Sequence, residues 1–189
     1  MKEVGMVFVV VGMPASGKNI ARLYAEERLI PYFATGDIVR REIAKRGLNA
    51  SAENTSIVST EMRGEDGMGV TRMALSAALA CESPIVFVEG MRSWPEIELI
   101  RSETGCLVIA FVTPRQTRRD RMKSRARADD LPSAFDERDL REIAYGTAVP
   151  VALADAYILN TGTMDEALAD LDALVKTSTP EPLRATSVK

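Results

Sequence analysis

Short apolar runs alternate with amphipathic segments along the chain. Five runs predict strands: GMVFVVV (5–11), PYFAT (31–35), PIVFVEG (84–90), CLVIAFVTP (106–114) and AYILNTG (156–162). The first, apolar and rich in β-branched residues, is typical of a strand buried on both faces of a parallel sheet. Helical patterns separate the runs. The sequence therefore predicts an α/β fold, a five-stranded parallel sheet with helices on both faces.

The predicted helices differ in length and in how clearly they are bounded. They cover about residues 17–29, 37–46, 51–82 with a Gly-rich break at 64–69, 94–104, 114–127, 135–146 and 163–176. Asp37 is the predicted N-cap of the second helix. We expect one domain over residues 1–177 and a flexible tail over 178–189, which holds two prolines and no apolar cluster.

Composition and charge exclude several functions. The formal net charge of −3 provides no overall attraction for nucleic acid or for anionic membranes. The chain has no histidine, which excludes zinc sites of the Cys/His type and acid–base catalysis by histidine. The N-terminal apolar run is too short to span a membrane, and it leads into a Gly/Ser/Lys loop. We expect a cytoplasmic protein with no membrane partner and with two reduced thiols.

The segment GMPASGK (12–18) matches the phosphate-loop pattern G-x-x-x-x-G-K, or Walker A. It lies between a predicted strand and a predicted helix, which is the context that supports the match. Its glycines let successive amides point at a phosphate, and Lys18 would reach the β- and γ-phosphates of ATP. The candidate nucleotide-binding residues are Gly12, Met13, Pro14, Ala15, Ser16, Gly17, Lys18, Asn19 and Ile20.

The metal-binding part of this loop departs from the usual pattern. Asn19 stands where a Ser or Thr hydroxyl normally binds Mg²⁺, and its amide oxygen is a weaker ligand. Glu89 ends the third predicted strand, where an acidic residue orders the metal through water. The alternative is that the Glu89 carboxylate is solvated and has no role.

A strongly basic segment follows the fourth strand. Residues 115–127 hold six arginines and one lysine against one aspartate. Arg118, Arg121 and Arg125 recur at i, i+3 and i+7, so they share one face of a helix. Because arginine grips phosphate bidentately, this run indicates phosphate binding. The alternative is a solvated basic face that pairs with nearby carboxylates.

Four separated segments resemble the P-loop nucleoside monophosphate kinases, adenylate kinase above all. They are GMPASGK, ATGDIVR (34–40), EGMRSWPEI (89–97) and DRMKSRARADD (120–130) followed by Arg138. The third segment lacks one residue before its arginine. The likeness extends over about residues 5–175. The order of motifs also resembles an uncharacterised, largely archaeal family related to adenylate kinase, and ADAYILNTGTMDEAL (154–168) is similar to dephospho-CoA kinase.

The resemblance implies a role for each matched segment. It implies a small helical acceptor-binding region over about 37–82 and a short lid over about 121–138. Arg121 would lie over the donor nucleotide, and Asp129 and Asp130 would latch the closed lid. The catalytic cations would be Lys18, Arg125, Arg127 and Arg138, and the substrate-binding residues Thr35, Arg40, Arg92 and Glu96.

The identity of the acceptor is left open by these motifs. Glu96 stands where adenylate kinase has a glutamine that reads adenine. Because a carboxylate only accepts hydrogen bonds, we expect a base edge that presents donors, and hence an acceptor other than AMP. Trp94 could stack on that base or pack structurally, and Arg63 is a weaker candidate for the same region.

The function indicated is ATP- and Mg²⁺-dependent phosphoryl transfer to a nucleotide or nucleotide-like acceptor. A P-loop ATPase or a nucleotide-switched module with a protein or RNA partner is the alternative, motivated by Asn19 and Ile20. Residues 112–134 contain no aromatic residue for base stacking, which weighs against RNA. A third possibility is a nucleotide binder without activity. The oligomeric state is not indicated.

Overall fold

The computed structural model describes residues 4–125 and 132–179, except for the side chains at 125 and 132–134. Five parallel strands form one sheet in the order β2-β3-β1-β4-β5. They are β1 (Met6–Val11), β2 (Tyr32–Ala34), β3 (Ile85–Glu89), β4 (Cys106–Val112) and β5 (Ala156–Leu159). The predicted sheet is confirmed.

Helices connect and flank the strands. They are α1 (Asn19–Glu27), α2 (Thr35–Lys45), α3 (Ala52–Arg63), α4 (Gly69–Leu79), α5 (Trp94–Glu103), α6 (Arg115–Arg125), α7 (Pro132–Ala144), α8 (Ala148–Ala152) and α9 (Met164–Ser178). The Gly-rich break at 64–69 separates α3 from α4 as expected. Helix α8 was not predicted, because five residues are too few to show a helical period. None of the described helices has the length and apolar character needed to cross a lipid bilayer.

Side-chain alternation along the central strand divides the core between the two faces of the sheet. Val7, Val9 and Val11 of β1 pack under helices α2 to α5. Phe8 and Val10 point to the opposite face and pack under α1 and α9. Since both faces are covered, every residue from 7 to 11 is buried, which explains the apolar run in the sequence.

The start of α2 differs from the expectation. The helix begins at Thr35 with Ala34 at the N-cap position, so Asp37 lies in the first turn and the predicted cap was wrong. The Asp37 carboxylate accepts hydrogen bonds from Arg40 and, at 2.7 Å, from Arg22. Burial alone would raise the pKa of Asp37, but the two guanidinium groups outweigh it and lower that pKa. A long-range ion pair therefore takes the place of a local cap.

Candidate active site

A cleft of about 420 Å³ opens at the carboxyl ends of β1, β2 and β3. Its walls come from the 12–18 loop, from α2 and α3, from the segment after β3, and from α7. Parallel sheets place ligands at this edge, because the loops that leave the strands converge there. The cleft therefore brings the predicted donor and acceptor segments to one place.

The 12–18 loop depends on glycine at two positions. Gly12 has φ 153° and Gly17 has φ 99°, which side-chain-bearing residues rarely adopt. The curved loop delivers Lys18 into the cleft, where its Nζ donates to Gly12 O (2.8 Å) and Met13 O (3.3 Å). Burial lowers the pKa of Lys18, although the carboxylates of Glu89 and Glu142 act in the opposite direction. The ammonium is thus held against the loop by neutral carbonyls that a phosphate could replace.

Polar side chains from three other elements brace this loop. Asn160 Nδ2, just after β5, and Thr113 Oγ1, just after β4, each donate to Ser16 O at 2.9 Å. Arg118 Nη1 of α6 donates to Pro14 O at 3.1 Å. Sequence reasoning did not identify Asn160 or Thr113 as part of the site. The available signal was their position directly after a strand, at the edge of the sheet where ligands bind.

Helix α7 provides carboxylates to three of the arginines of α6. Arg118 is 6% exposed and forms a bidentate pair with Asp139, at 2.5 and 2.9 Å. Arg115 and Arg119 both pair with Asp136 on the more exposed side. All three arginines therefore pair with nearby carboxylates, as the alternative expected, but Arg118 is buried rather than solvated and contacts the loop backbone instead of facing an open anion site.

The remaining lid cations are described in part. Arg121 donates to the Asn160 backbone oxygen (3.1 Å) and side-chain oxygen (3.3 Å), and to Thr113 Oγ1 (3.3 Å), beside the loop. Arg138 of α7 lines the cleft. The side chain of Arg125 and the predicted residues Arg127, Asp129 and Asp130 lie outside the described residues.

Three of the predicted acceptor-binding residues line the same cleft as Lys18. Thr35 and Arg40 enter from α2, and Arg92 enters from the loop after β3. Arg92 is held by Glu142 of α7 at 3.3 Å and lies over the Tyr145 ring, 5.1 Å from its centroid. Helix α7 therefore contributes one cation to the cleft and also orients a second.

Glu96 does not have the predicted role. It is 3% exposed and completes a capping box at the start of α5. Its Oε2 accepts from the Arg92 amide (2.8 Å) and from the amide and hydroxyl of Ser93 (both 2.9 Å), and its Oε1 accepts from Thr71 Oγ1 (2.6 Å). With both oxygens engaged and buried, this carboxylate cannot read a base edge, so the prediction for Glu96 was wrong.

The metal candidates differ in position. Glu89 lines the cleft beside the loop, and its Oε2 accepts from Tyr32 Oη at 2.8 Å. Burial and the Glu89 carboxylate raise the pKa of Tyr32 well above its usual value, so the phenol stays a donor. Asn19 is exposed at the first residue of α1, and it is not among the lining residues. Within the described residues no three acidic or thiol side chains converge, so a Mg²⁺ fits here only together with a phosphate ligand, with Glu89 beside it.

Helix α3 contributes a part of the site that sequence reasoning reached only at one residue. Arg63, the weaker candidate, lines the cleft together with Thr55 and Ser59, which were not identified. Their spacing of four residues along one helix was the signal for a shared face. Trp94 is not among the lining residues. Its ring packs against the core and under the Arg101 guanidinium, 5.0 Å away, which supports the packing role.

Relatives cover nearly the whole chain. It is 36% identical over 178 residues to the UPF0200 protein TK1334 of Thermococcus kodakarensis, covering 90% of this chain and 96% of that protein. It is also 36% identical over 164 residues to a UPF0200 protein of Methanosarcina mazei, covering 84% and 88% of the two chains. No protein-family profile matches the chain.

Two solved structures share the fold at low identity. The protein TT1252 from Thermus thermophilus has a TM-score of 0.67 at 13% identity, covering 93% of this chain and 99% of its own. The shikimate kinase of Acinetobacter baumannii, solved with shikimate, has a TM-score of 0.54 at 13% identity, covering 94% and 96%. The fold is thus that of the P-loop kinases. By its relatives in archaea, the chain belongs to the UPF0200 family.

Proposed function

We propose that the protein is an ATP- and Mg²⁺-dependent kinase that transfers a phosphoryl group to a nucleotide or nucleotide-like acceptor. The observation that carries the proposal is the charge of the cleft. Among the described residues, six cationic side chains line it against two carboxylates, Glu89 and Glu142, and Asp37 behind the wall pairs with two of the six, Arg22 and Arg40, so the cations remain in excess. The cations are Lys18, Arg22, Arg40, Arg63, Arg92 and Arg138.

These cations come from separate elements, which suits a reaction between two phosphate-bearing substrates. Lys18 belongs to the 12–18 loop, Arg40 to α2, Arg92 to the segment after β3, and Arg138 to α7. Phosphoryl transfer passes through a negatively charged transition state, and the protein contributes mainly positioning and positive charge. A site that assembles its cations from four elements supplies both.

Each group has a definite part in the proposed mechanism. Lys18 would exchange its carbonyl partners for the β- and γ-phosphate oxygens of the donor, and the amides at the start of α1 would bind the same phosphates. Mg²⁺, when bound with the nucleotide, would neutralise charge between the β- and γ-phosphates. Glu89, held by Tyr32, would orient water on that metal. Arg40 and Arg92 would bind the acceptor phosphate, and Arg138 would face the transferred group, with Arg125 and Arg127 as further proposed lid cations.

The alternative of an RNA-binding switch has less support. Three arginines of α6 already pair with Asp136 and Asp139, so fewer charges of that helix are available to a nucleic-acid backbone than the sequence suggests. If the alternative held, RNA affinity would fall steeply as the salt concentration rises.

The test is a phosphoryl-transfer panel with ATP and Mg²⁺ against the nucleoside monophosphates and dephospho-CoA. We expect transfer to at least one acceptor, and its loss together with loss of ATP binding in Lys18→Ala. Arg138→Ala should lower kcat far more than ATP affinity, because its charge is needed in the transition state. Arg72→Ala is the matched control, since Arg72 pairs with Asp66 on the surface and does not line the cleft. If wild-type protein binds ATP yet transfers to no acceptor, the kinase proposal is wrong.

A further inference from the structure

Three polar side chains of α3 form a stripe along one wall of the cleft. Thr55, Ser59 and Arg63 follow one another at intervals of four residues, which places them on one face of the helix. We refer to these three residues as the α3 stripe. Thr55 is exposed, whereas Ser59 and Arg63 are half-buried, so the stripe runs from the surface into the cleft.

The guanidinium of Arg63 is left without a carboxylate. Three acidic residues lie near Arg63 in the sequence: Glu61 pairs with Arg46, Asp66 pairs with Arg72, and the exposed Glu65 forms no ion pair with Arg63. Within the part of the chain that the structure describes, Arg63 forms no ion pair. A half-buried arginine that faces a cleft, and is not neutralised by the protein, is available to a ligand.

The hydroxyls of the α3 stripe can accept hydrogen bonds, which the Arg63 guanidinium cannot do. Thr55 Oγ1 donates its proton to Ser51 O at 2.7 Å, and Ser59 Oγ donates to Ser56 O at 3.1 Å. With these protons committed to the helix backbone, the oxygen lone pairs are left to accept hydrogen bonds from the cleft. One helical turn therefore places a donor-only group, Arg63, beside an acceptor, Ser59.

Apolar side chains also line the cleft. Val39 of α2, Val70 of α4 and Met91 after β3 line it together with the α3 stripe. Apolar walls with a few placed polar groups are typical of sites that hold a flat ring and read its edge. The acceptor phosphate cations Arg40 and Arg92 line the same cleft.

We propose that the α3 stripe recognises the lactam edge of the acceptor's base, with Arg63 donating to the ring carbonyl and Ser59 accepting from the adjacent ring N–H. This inference rests on the proposed function. It assigns the acceptor to nucleoside monophosphates with a carbonyl beside a ring N–H, as in uracil, guanine and hypoxanthine. Adenine and cytosine present an amino donor in place of the carbonyl, and a guanidinium cannot accept from it.

Two isosteric pairs isolate this feature. IMP and AMP differ at the lactam edge of a purine, and UMP and CMP differ at the same edge of a pyrimidine. For wild-type protein we expect kcat/KM with ATP and Mg²⁺, and the Kd measured by calorimetry, to favour IMP over AMP or UMP over CMP by about 10- to 100-fold. The pair with the higher kcat/KM also shows whether the cleft takes a purine or a pyrimidine.

Variants of the stripe test the assignment. Arg63→Met should reduce the preference to within about 3-fold by weakening the lactam member, and Arg63→Lys should retain part of it. Arg72→Met is the matched control and should leave the ratio unchanged, because Arg72 is exposed and paired outside the cleft. Thermal unfolding of each variant, followed by circular dichroism, shows whether a loss of preference is due to misfolding. If Arg63→Met is misfolded, Arg63→Lys replaces it as the deciding variant.

The outcomes separate this inference from the proposed function. If monophosphates are phosphorylated but neither pair shows a lactam preference, or if Arg63→Met leaves the preference intact, the inference is overturned and the kinase function stands. If the four monophosphates bind with the expected preference and no acceptor of the full panel is phosphorylated, the recognition site stands and the kinase function fails. If none of the four binds, the inference is overturned, and transfer to the remaining acceptors of the panel, dephospho-CoA among them, decides the kinase function separately.

Discussion

The carboxylate of Asp139 is 3% exposed between α6 and α7, and it is held there by arginines. It accepts two hydrogen bonds from Arg118, and Arg115 Nε lies 3.4 Å from its second oxygen. Arg118 in turn donates to Pro14 O in the 12–18 loop. The pair therefore joins α7 to that loop, and Asp139→Ala is the perturbation that tests this connection.

The expected cost follows from burial. Removal of the Asp139 carboxylate leaves the Arg118 charge buried without its partner, which destabilises a protein by about 3–5 kcal/mol. Urea unfolding followed by far-UV circular dichroism measures the free energy of unfolding. Asp136→Ala is the matched control on the same helix. Since Asp136 is a half-exposed partner of Arg115 and Arg119, its loss should change the unfolding midpoint far less than the loss of Asp139.

A double variant separates stability from nucleotide binding. Arg118→Met with Asp139→Leu removes both charges and fills their volume, so most of the stability should return. ATP affinity, measured by calorimetry, should remain below that of the wild type because Pro14 O has lost its donor. A cost below about 1 kcal/mol for Asp139→Ala, or a double variant as unstable as the single one, would refute the reasoning.

Two further predictions concern buried polar groups. Asn160→Ala removes the buried 2.9 Å hydrogen bond to Ser16 O, so we expect the free energy of unfolding in urea to fall by about 1–3 kcal/mol. ATP binding, measured by calorimetry, should also weaken. Unchanged ATP affinity would contradict the role of Asn160 in bracing the loop. Burial raises the pKa of the Cys106 thiol to about 11. In a Cys81→Ser background, Cys106 should react with a disulfide reagent at pH 8 at least about 10-fold more slowly in folded than in unfolded protein. Because the thiol ionises at a lower pH in the unfolded protein than in the folded protein, the free energy of unfolding should fall, relative to Cys106→Ser, as the pH rises from about 9 through 11. Equal reaction rates in folded and unfolded protein would show that the thiol is not protected.

Some of the site was predictable because its signals are local. The 12–18 loop needs its glycines and lysine in one short segment, and Thr35, Arg40, Arg92 and Arg138 carried recognisable neighbours in the sequence. Glu96 shows how a local signal can be misassigned. Ser93 and Glu96 have the spacing of a capping box, and this structural pattern explains the carboxylate without a ligand.

Other contacts could not be predicted because their partners are distant in the sequence. Arg118 and Pro14 are 104 residues apart, and Asn160 and Ser16 are 144 residues apart. The basic run of α6 indicated phosphate binding, yet which of its arginines face a ligand depends on how α7 packs against it. Asp37 was expected to cap its own helix, but it pairs with Arg22 of α1.

The sequence by itself determined the five strands, most of the helices between them, and the loop at the end of β1. Fully apolar runs have no stable place except between two layers of helices, and the loop's backbone requires glycine wherever it occurs. Only the tertiary structure decided which charges neutralise one another and which remain in the cleft. Which charges are neutralised depends on how elements that are far apart in the chain pack together. Burial then makes it costly to leave a guanidinium without a partner.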